Sequence, residues 1–184
     1  MRELALIEQI RRDSATPRSR TVALGIGDDC AILRPPVGSE VLVTTDFTLE
    51  GRHFRRDLHS PESVGHRCLA RGLSDLAAMG ATPMTAFLSL ALPADLVSTA
   101  KGRGWTTRFF KGLQALAHQH KITLAGGDTA QAPGDVILAD IVLLGTAPVG
   151  RSLRRSGASA GDAIYVTGSL GGAATELAAM LSNN

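Results

Sequence analysis

Residues 60–80, SPESVGHRCLARGLSDLAAMG, are the stretch that most restricts the fold. Ser60 reads as a helix cap and Pro61 as the first helical residue. Val64, Cys68, Leu69, Leu73, Leu76 and Met79 recur at three-and-four spacing, and Gly80 supplies the stop. A helix with such a stripe needs a second layer to lie on. It also carries a carboxylate, Asp75, with Arg71 four residues before it. Two readings stand side by side. One is an Arg71–Asp75 surface ion pair, worth about 0.3–0.5 kcal/mol. The other is a carboxylate turned inward at a cation, because a buried charge requires a partner.

The rest of the chain repeats the theme of an aspartate beside glycine or threonine at the end of an apolar element. It occurs at Asp28–Asp29, at Thr44-Thr45-Asp46, at Ser74-Asp75 and at Gly126-Gly127-Asp128-Thr129. A strand end delivers a carboxylate to the rim of a sheet, and the glycine lets backbone approach a ligand. Any one of these aspartates also suits a turn or cap. Taken together they are hard oxygen donors, which select magnesium, calcium or manganese over zinc or copper. Converging carboxylates repel unless cations lie between them, and magnesium usually shares its remaining positions with water and substrate phosphate.

Other motifs carry less. Gly25-x-Gly27 lacks the third glycine and the following helix of a dinucleotide fingerprint, and GSLGG at 168–172 lacks the lysine and hydroxyl of a Walker motif. GSLGG reads as a tight turn or an anion cradle at a helix start. His53 lies between Arg52 and Arg55, cations that would lower its pKa. His59, His66, His118 and His120 read as ordinary. Arginines cluster at 11–20, 52–56 and 151–155, where guanidinium forks suit phosphate and also suit a solvated surface. Cys30 and Cys68 have no zinc spacing and read as reduced, buried side chains. No serine or cysteine has a visible base partner for nucleophilic catalysis.

The element order predicts an α+β domain, with a mixed or antiparallel sheet and helices on one face. A short amphipathic helix is expected at 2–12, with Leu4, Ile7 and Ile10 on one side. Strands are expected at 41–47, 84–92 (bounded by Pro83 and Pro93), 121–129 and 136–147, with GIGDDCAIL at 25–33 a turn feeding another. A second long helix is expected at 94–119, weakened by Gly102 and Gly104. Residues 163–180 read as strand, glycine turn and helix without a sheet to complete. The division expected is therefore 1–150 as an N-terminal domain and 151–184 as the entrance to a second. A net charge of +2 makes no demand for nucleic acid. No run approaches a membrane span, and MRELALIEQIRRD has no signal-peptide core. The default expectation is cytoplasmic.

GIGDDCAIL, TTDFTLEGRHF, LSDLAAMGATP, AGGDT and GRSLRRSGASAGDAIYVTG, in this order, resemble the thiamine-monophosphate kinase family. That family lies in the superfamily of aminoimidazole ribonucleotide synthetase and selenophosphate synthetase. The likeness runs from about residue 20 to 172. SDLAAMGA is shared superfamily-wide, whereas Gly51-x-His53-Phe54 after the TTD motif points to the kinase. The resemblance implies an N-terminal domain that dimerises through its sheet, with ATP and several Mg2+ ions in a cleft near the dimer. It implies magnesium on Asp29, Thr44, Thr45, Asp46, Asp75 and Asp128, and substrate on His53. ATP is implied near Gly127, Asp128 and Arg155, with Phe110 where the family often has a nucleotide-adjacent tyrosine. The implied reaction moves the γ-phosphoryl group of ATP onto thiamine monophosphate. Gly72 replaces a common asparagine, and the family's C-terminal domain, with its SDGL aspartate, would lie beyond residue 184. Another ATP-dependent superfamily member (a synthetase or hydrogenase-maturation factor) and a non-catalytic dimerising module are the alternatives.

Overall fold

The structure, a computed structural model, describes residues 7, 8, 10–12 and 19–182. Of the helix expected at 2–12, residues 7, 8 and 10–12 are helical, and the remainder lies outside the described residues. The chain divides into two compact units, Met1–Leu153 and Arg154–Asn184.

In the first unit β1 (Val22–Leu24) and β2 (Ile32–Leu33) form a small antiparallel ribbon. The main sheet contains β3 (Ser39–Leu49), β4 (Thr82–Leu92), β5 (Thr123–Gln131) and β6 (Leu138–Pro148). Its order is β3-β6-β4-β5, with β4 and β5 parallel and the other pairs antiparallel. This is the mixed sheet expected from the element order. Both crossovers are helical: α1 (Pro61–Ala78) after β3, then α2 (Ala94–Ser98) and α3 (Ala100–Gln119) after β4. The α1 cap is as read from sequence, with the Ser63 amide donating to Ser60 Oγ at 3.2 Å.

Three boundaries differ from expectation for physical reasons. The helix expected at 94–119 breaks at Thr99, whose extended backbone ends α2 and whose hydroxyl accepts from the Gly102 amide at 3.0 Å to cap α3. A Cβ on Gly102 would lie 2.1 Å from the Asp95 carbonyl oxygen, so glycine here allows α2 to fold back on α3. Pro83 lies inside β4 rather than at its edge. It precedes Thr85, the first residue paired with β5, and sits at a register shift, so its missing N–H disturbs little of the ladder. Residues 163–166 form no strand. Ile164, Tyr165 and Val166 are exposed, because the second unit has no described strand for them to pair with; it contains a 3-10 turn and α4 (Gly172–Ser182).

The core lies between α1, α3 and one face of the sheet. Val64, Cys68, Leu69, Phe109, Leu113, Ile141 and Leu143 are all buried in it. Gly72 belongs to the same contact: a Cβ there would meet Leu143 Cδ1 at 2.8 Å. The departure from asparagine therefore lets α1 lie close on β6. Cys30, expected to be buried, is exposed, because it lies in the irregular turn before β2; only Cys68 is in the core. The opposite face of the sheet is open and carries exposed apolar side chains, Val43 63% and Phe47 57% exposed. Among the described residues no helix is long and apolar enough to cross a membrane.

Candidate functional site

Two periodicities meet where α1 crosses β3. Arg67, Arg71 and Asp75 are four apart on the helix, a rise of about 6 Å per step. Alternate residues of a strand are about 6.6 Å apart and share a face. The two repeats nearly match, and the side chains pair along them. Thr44 Oγ1 donates to Asp75 Oδ2 at 2.6 Å. Arg71 Nη2 donates to Asp46 Oδ1 at 2.6 Å. Arg67 donates to the carbonyl oxygen of His53, just beyond the end of β3. The Arg71–Asp75 pair suggested by spacing is thus replaced. Both side chains reach across to β3, and each takes a different partner there.

Thr45 points to the other face, where its hydroxyl donates to Asp140 Oδ1 at 2.8 Å. Asp140 is a polar interruption of the apolar run 136–147, a visible signal that the motif reading passed over.

His53 has a lowered pKa, the direction expected from sequence, but for another reason. Burial is the main cause, followed by Arg71 and then Arg67, with Asp46 opposing. The sequence neighbours Arg52 and Arg55 are not among the causes.

A second group gathers along β5, an edge strand of the described sheet. A cavity of about 850 Å³ lies between β5 and the turn 26–31. Asp28, Asp29 and Asp128 contribute carboxylates to it, and Gly126, Gly127, Phe110, Ile7 and Ile10 contribute to its walls. Gly127 has φ +143°, and a Cβ there would lie 1.9 Å from the Leu88 carbonyl oxygen. Phe110 is buried and meets Phe109 edge-on at 5.5 Å. Thr129 Oγ1, on the same wall, is buried without a hydrogen-bond partner.

Five of the six predicted metal residues therefore fall into two groups, and Thr45 stands apart on the face of Asp140. Asp29 and Asp128 share the cavity with Asp28, while Thr44, Asp46 and Asp75 cluster at the α1–β3 contact. Among the described residues no three His, Cys, Asp or Glu side chains are close enough to hold one cation between them. The cavity still fits magnesium chemically: its donors are carboxylates and an unpaired hydroxyl, and magnesium completes its shell with water and phosphate oxygen. Arg155 lies in the second unit, in the 3-10 turn Arg155–Gly157.

Residues 27–147, about two thirds of the chain, match the family "AIR synthase related protein, N-terminal domain". The chain belongs to that family. As an AIR synthase related domain it is 43% identical over 157 residues to thiamine-monophosphate kinase of Escherichia coli K12, covering 85% of this chain and 45% of that protein. The crystal structure of thiamine-monophosphate kinase from Stenotrophomonas maltophilia K279a is 39% identical with a TM-score of 0.66, covering 84% of this chain and 45% of that one. AaThiL complexed with AMPPCP and TMP is 28% identical with a TM-score of 0.72, covering 99% of this chain and 53% of that one. The AIR synthase related domain thus spans about half the length of the relatives it matches. The resemblance drawn from GIGDDCAIL, the TTD–GRHF segment and AGGDT is borne out.

Proposed function

We propose that this domain is the nucleotide- and magnesium-binding half of an ATP-dependent kinase that converts thiamine monophosphate to thiamine diphosphate. The observation that carries the reading is the cavity on β5, whose lining includes Asp28, Asp29, Asp128, Gly126, Gly127 and Thr129, the last with a buried hydroxyl lacking a hydrogen-bond partner. The names of the relatives, and the AMPPCP and TMP in the AaThiL complex, support it.

In this reading Asp29 and Asp128 hold magnesium beside the triphosphate, with Gly127 allowing the chain to run close and Phe110 backing the cavity. Thr44, Asp46 and Asp75 form the other cation-binding group, while the Thr45 hydroxyl lies on the opposite face with Asp140. His53 contacts the thiamine monophosphate. Bound magnesium supplies charge neutralisation of the triphosphate. The attacking oxygen is a phosphate oxygen, already anionic, so the chain needs alignment and charge complementarity rather than a strong base. Asp75 and Asp46 are held in fixed rotamers by Thr44 and Arg71, a preorganisation that removes reorientation from the binding step. The protein works as a homodimer through the open sheet face, and in the cytoplasm, where ATP is available.

Calorimetric titration of AMPPCP into the chain with and without magnesium tests this. Binding should require magnesium and weaken at least about tenfold in Asp128→Asn, the loss of one charged ligand. Equal binding without the metal, or an unaffected Asp128→Asn, rejects the assignment.

A further inference from the structure

The segment following β3 is closed on itself. Gly51, with φ +78°, turns the chain, and its amide donates to the Phe54 carbonyl at 2.8 Å. The His53 amide donates to the Leu49 carbonyl at 2.8 Å. In return the Leu49 amide donates to Nδ1 of the His53 ring at 2.9 Å. Phe54, 3% exposed, anchors the turn in the core. From α1, Arg67 grips the His53 carbonyl oxygen.

A ring nitrogen that accepts from a backbone amide has no proton of its own. A proton on Nδ1 would set one N–H against another. The neutral ring must then carry its proton on Nε2, and the second hydrogen bond of an imidazole is fixed by the first.

We propose that the Leu49 amide and Arg67 together hold His53 as the Nε2–H tautomer, with Arg67 a positioning residue, so that the ring offers one fixed N–H donor to a phosphate oxygen of the substrate. The ligand class follows from the chemistry. A lone donor needs an acceptor, and Arg67 and Arg71, the cations whose field reaches the ring, favour an anionic one. Burial, the largest cause of the lowered His53 pKa, favours the neutral ring and agrees with this. The substrate half of the inference rests on the kinase reading, while the tautomer and the role of Arg67 do not.

The test separates them. Long-range proton–nitrogen spectra of the ligand-free, nitrogen-15-labelled chain, with His53 assigned by its loss in His53→Asn, should show a single Nε2–H tautomer. Arg67→Met should mix the tautomers, and Arg67→Lys should restore much of the single form. Added thiamine monophosphate or inorganic phosphate should shift Nε2, with affinity about tenfold weaker in Arg67→Met, the worth of one charge-assisted hydrogen bond. Magnesium-dependent AMPPCP binding should persist in that variant, which shows the fold is intact. A proton on Nδ1, or tautomers indifferent to Arg67→Met, overturns the proposal whatever the substrate does. A fixed tautomer with an Nε2 signal that neither phosphate probe moves overturns the donor role alone. Loss of AMPPCP binding in the wild type counts against the kinase reading instead.

Discussion

Replacing Gly65 by alanine tests the closest contact in the core. In an exposed helix interior a glycine-to-alanine change stabilises by about 1 kcal/mol, from helix propensity alone. Gly65 is helical but lies where α1 crosses α3. A Cβ there would be 1.9 Å from the Phe109 carbonyl oxygen and 2.8 Å from the Phe109 carbonyl carbon. Gly112 returns the contact, its Cβ position lying 2.0 Å from the Glu62 carbonyl oxygen. Both obstacles are backbone, so no rotamer change relieves them. Ordinary contact begins near 3.4 Å, so the helices must part by about 1.5 Å. A gap of about 1 Å forfeits up to about half of each dispersion well, and the residues affected are the fully buried Leu69, Cys68, Phe109 and Leu113. Overpacking of this kind costs about 1–3 kcal/mol or more, and repacking losses add to it. The net expectation is a loss of about 3 kcal/mol, against the sign of propensity. At a urea slope of about 1.5–2 kcal/mol per molar, the midpoint falls by about 1.5–2 M. Gly104→Ala is the control: it lies in α3 with nothing within 4 Å of its Cβ position, and should raise the midpoint by about 0.5 M. If Gly65→Ala melts at or above the wild-type midpoint while Gly104→Ala rises, the close crossing of α1 and α3 is refuted.

Four further outcomes are expected. N-ethylmaleimide at neutral pH should modify Cys30 alone in the native chain, because burial pushes the Cys68 thiol up to about 12, and Cys68 should react only in urea. Since Cys30 lines the β5 cavity, AMPPCP with magnesium should slow its modification; unchanged labelling would place the nucleotide elsewhere. His53 should make stability fall on acidification: its folded pKa lies below the ordinary 6.5, so the unfolded chain takes up the proton first. The contribution is complete above about 6.5 and lost as pH drops through the folded value. Urea midpoints between pH 5 and 8 should therefore decline more steeply in the wild type than in His53→Asn. Phe47→Glu, on the open sheet face, should give a monomer by light scattering if that face pairs two copies; a persisting dimer would assign the contact to another surface.

What the sequence made legible follows from what each signal measures. The α1 cap, the apolar stripe and the mixed sheet are local or periodic features, and the capping and pairing hydrogen bonds confirm them. The partner of Asp75 was not legible, because helical spacing ranks neighbours on one helix and cannot see a facing strand. The row Arg67–Arg71–Asp75 against Thr44 and Asp46 needs two periodicities in register, which only the packing of α1 on β3 supplies. The break at Thr99 is half legible: Gly102 marks a weak helix position, but its use is steric, admitting the Asp95 carbonyl. The exposure of Cys30 was not legible either, since composition alone cannot separate a core thiol from one in an irregular turn.

Strand order decides the rest. Asp46 pairs with Ile141, Ile141 with Leu88, and Leu88 with Gly127, so one row crosses the sheet from β3 to β5. The next row runs Phe47, Asp140, Ser89, Asp128. Adjacent residues on a strand face opposite ways, so Asp46 turns toward α1 while Asp128 turns with Phe47 and Asp140 to the open face. Three strand spacings of about 4.8 Å set the two edges about 14 Å apart. That distance exceeds the reach of any one cation, whose ligand oxygens lie within about 2.6 Å. Within a single copy the acidic groups on β3 and β5 are therefore two sites. A phosphate-bearing ligand that engages both must span the difference itself or meet the second group on another copy, as the homodimer proposed above would allow.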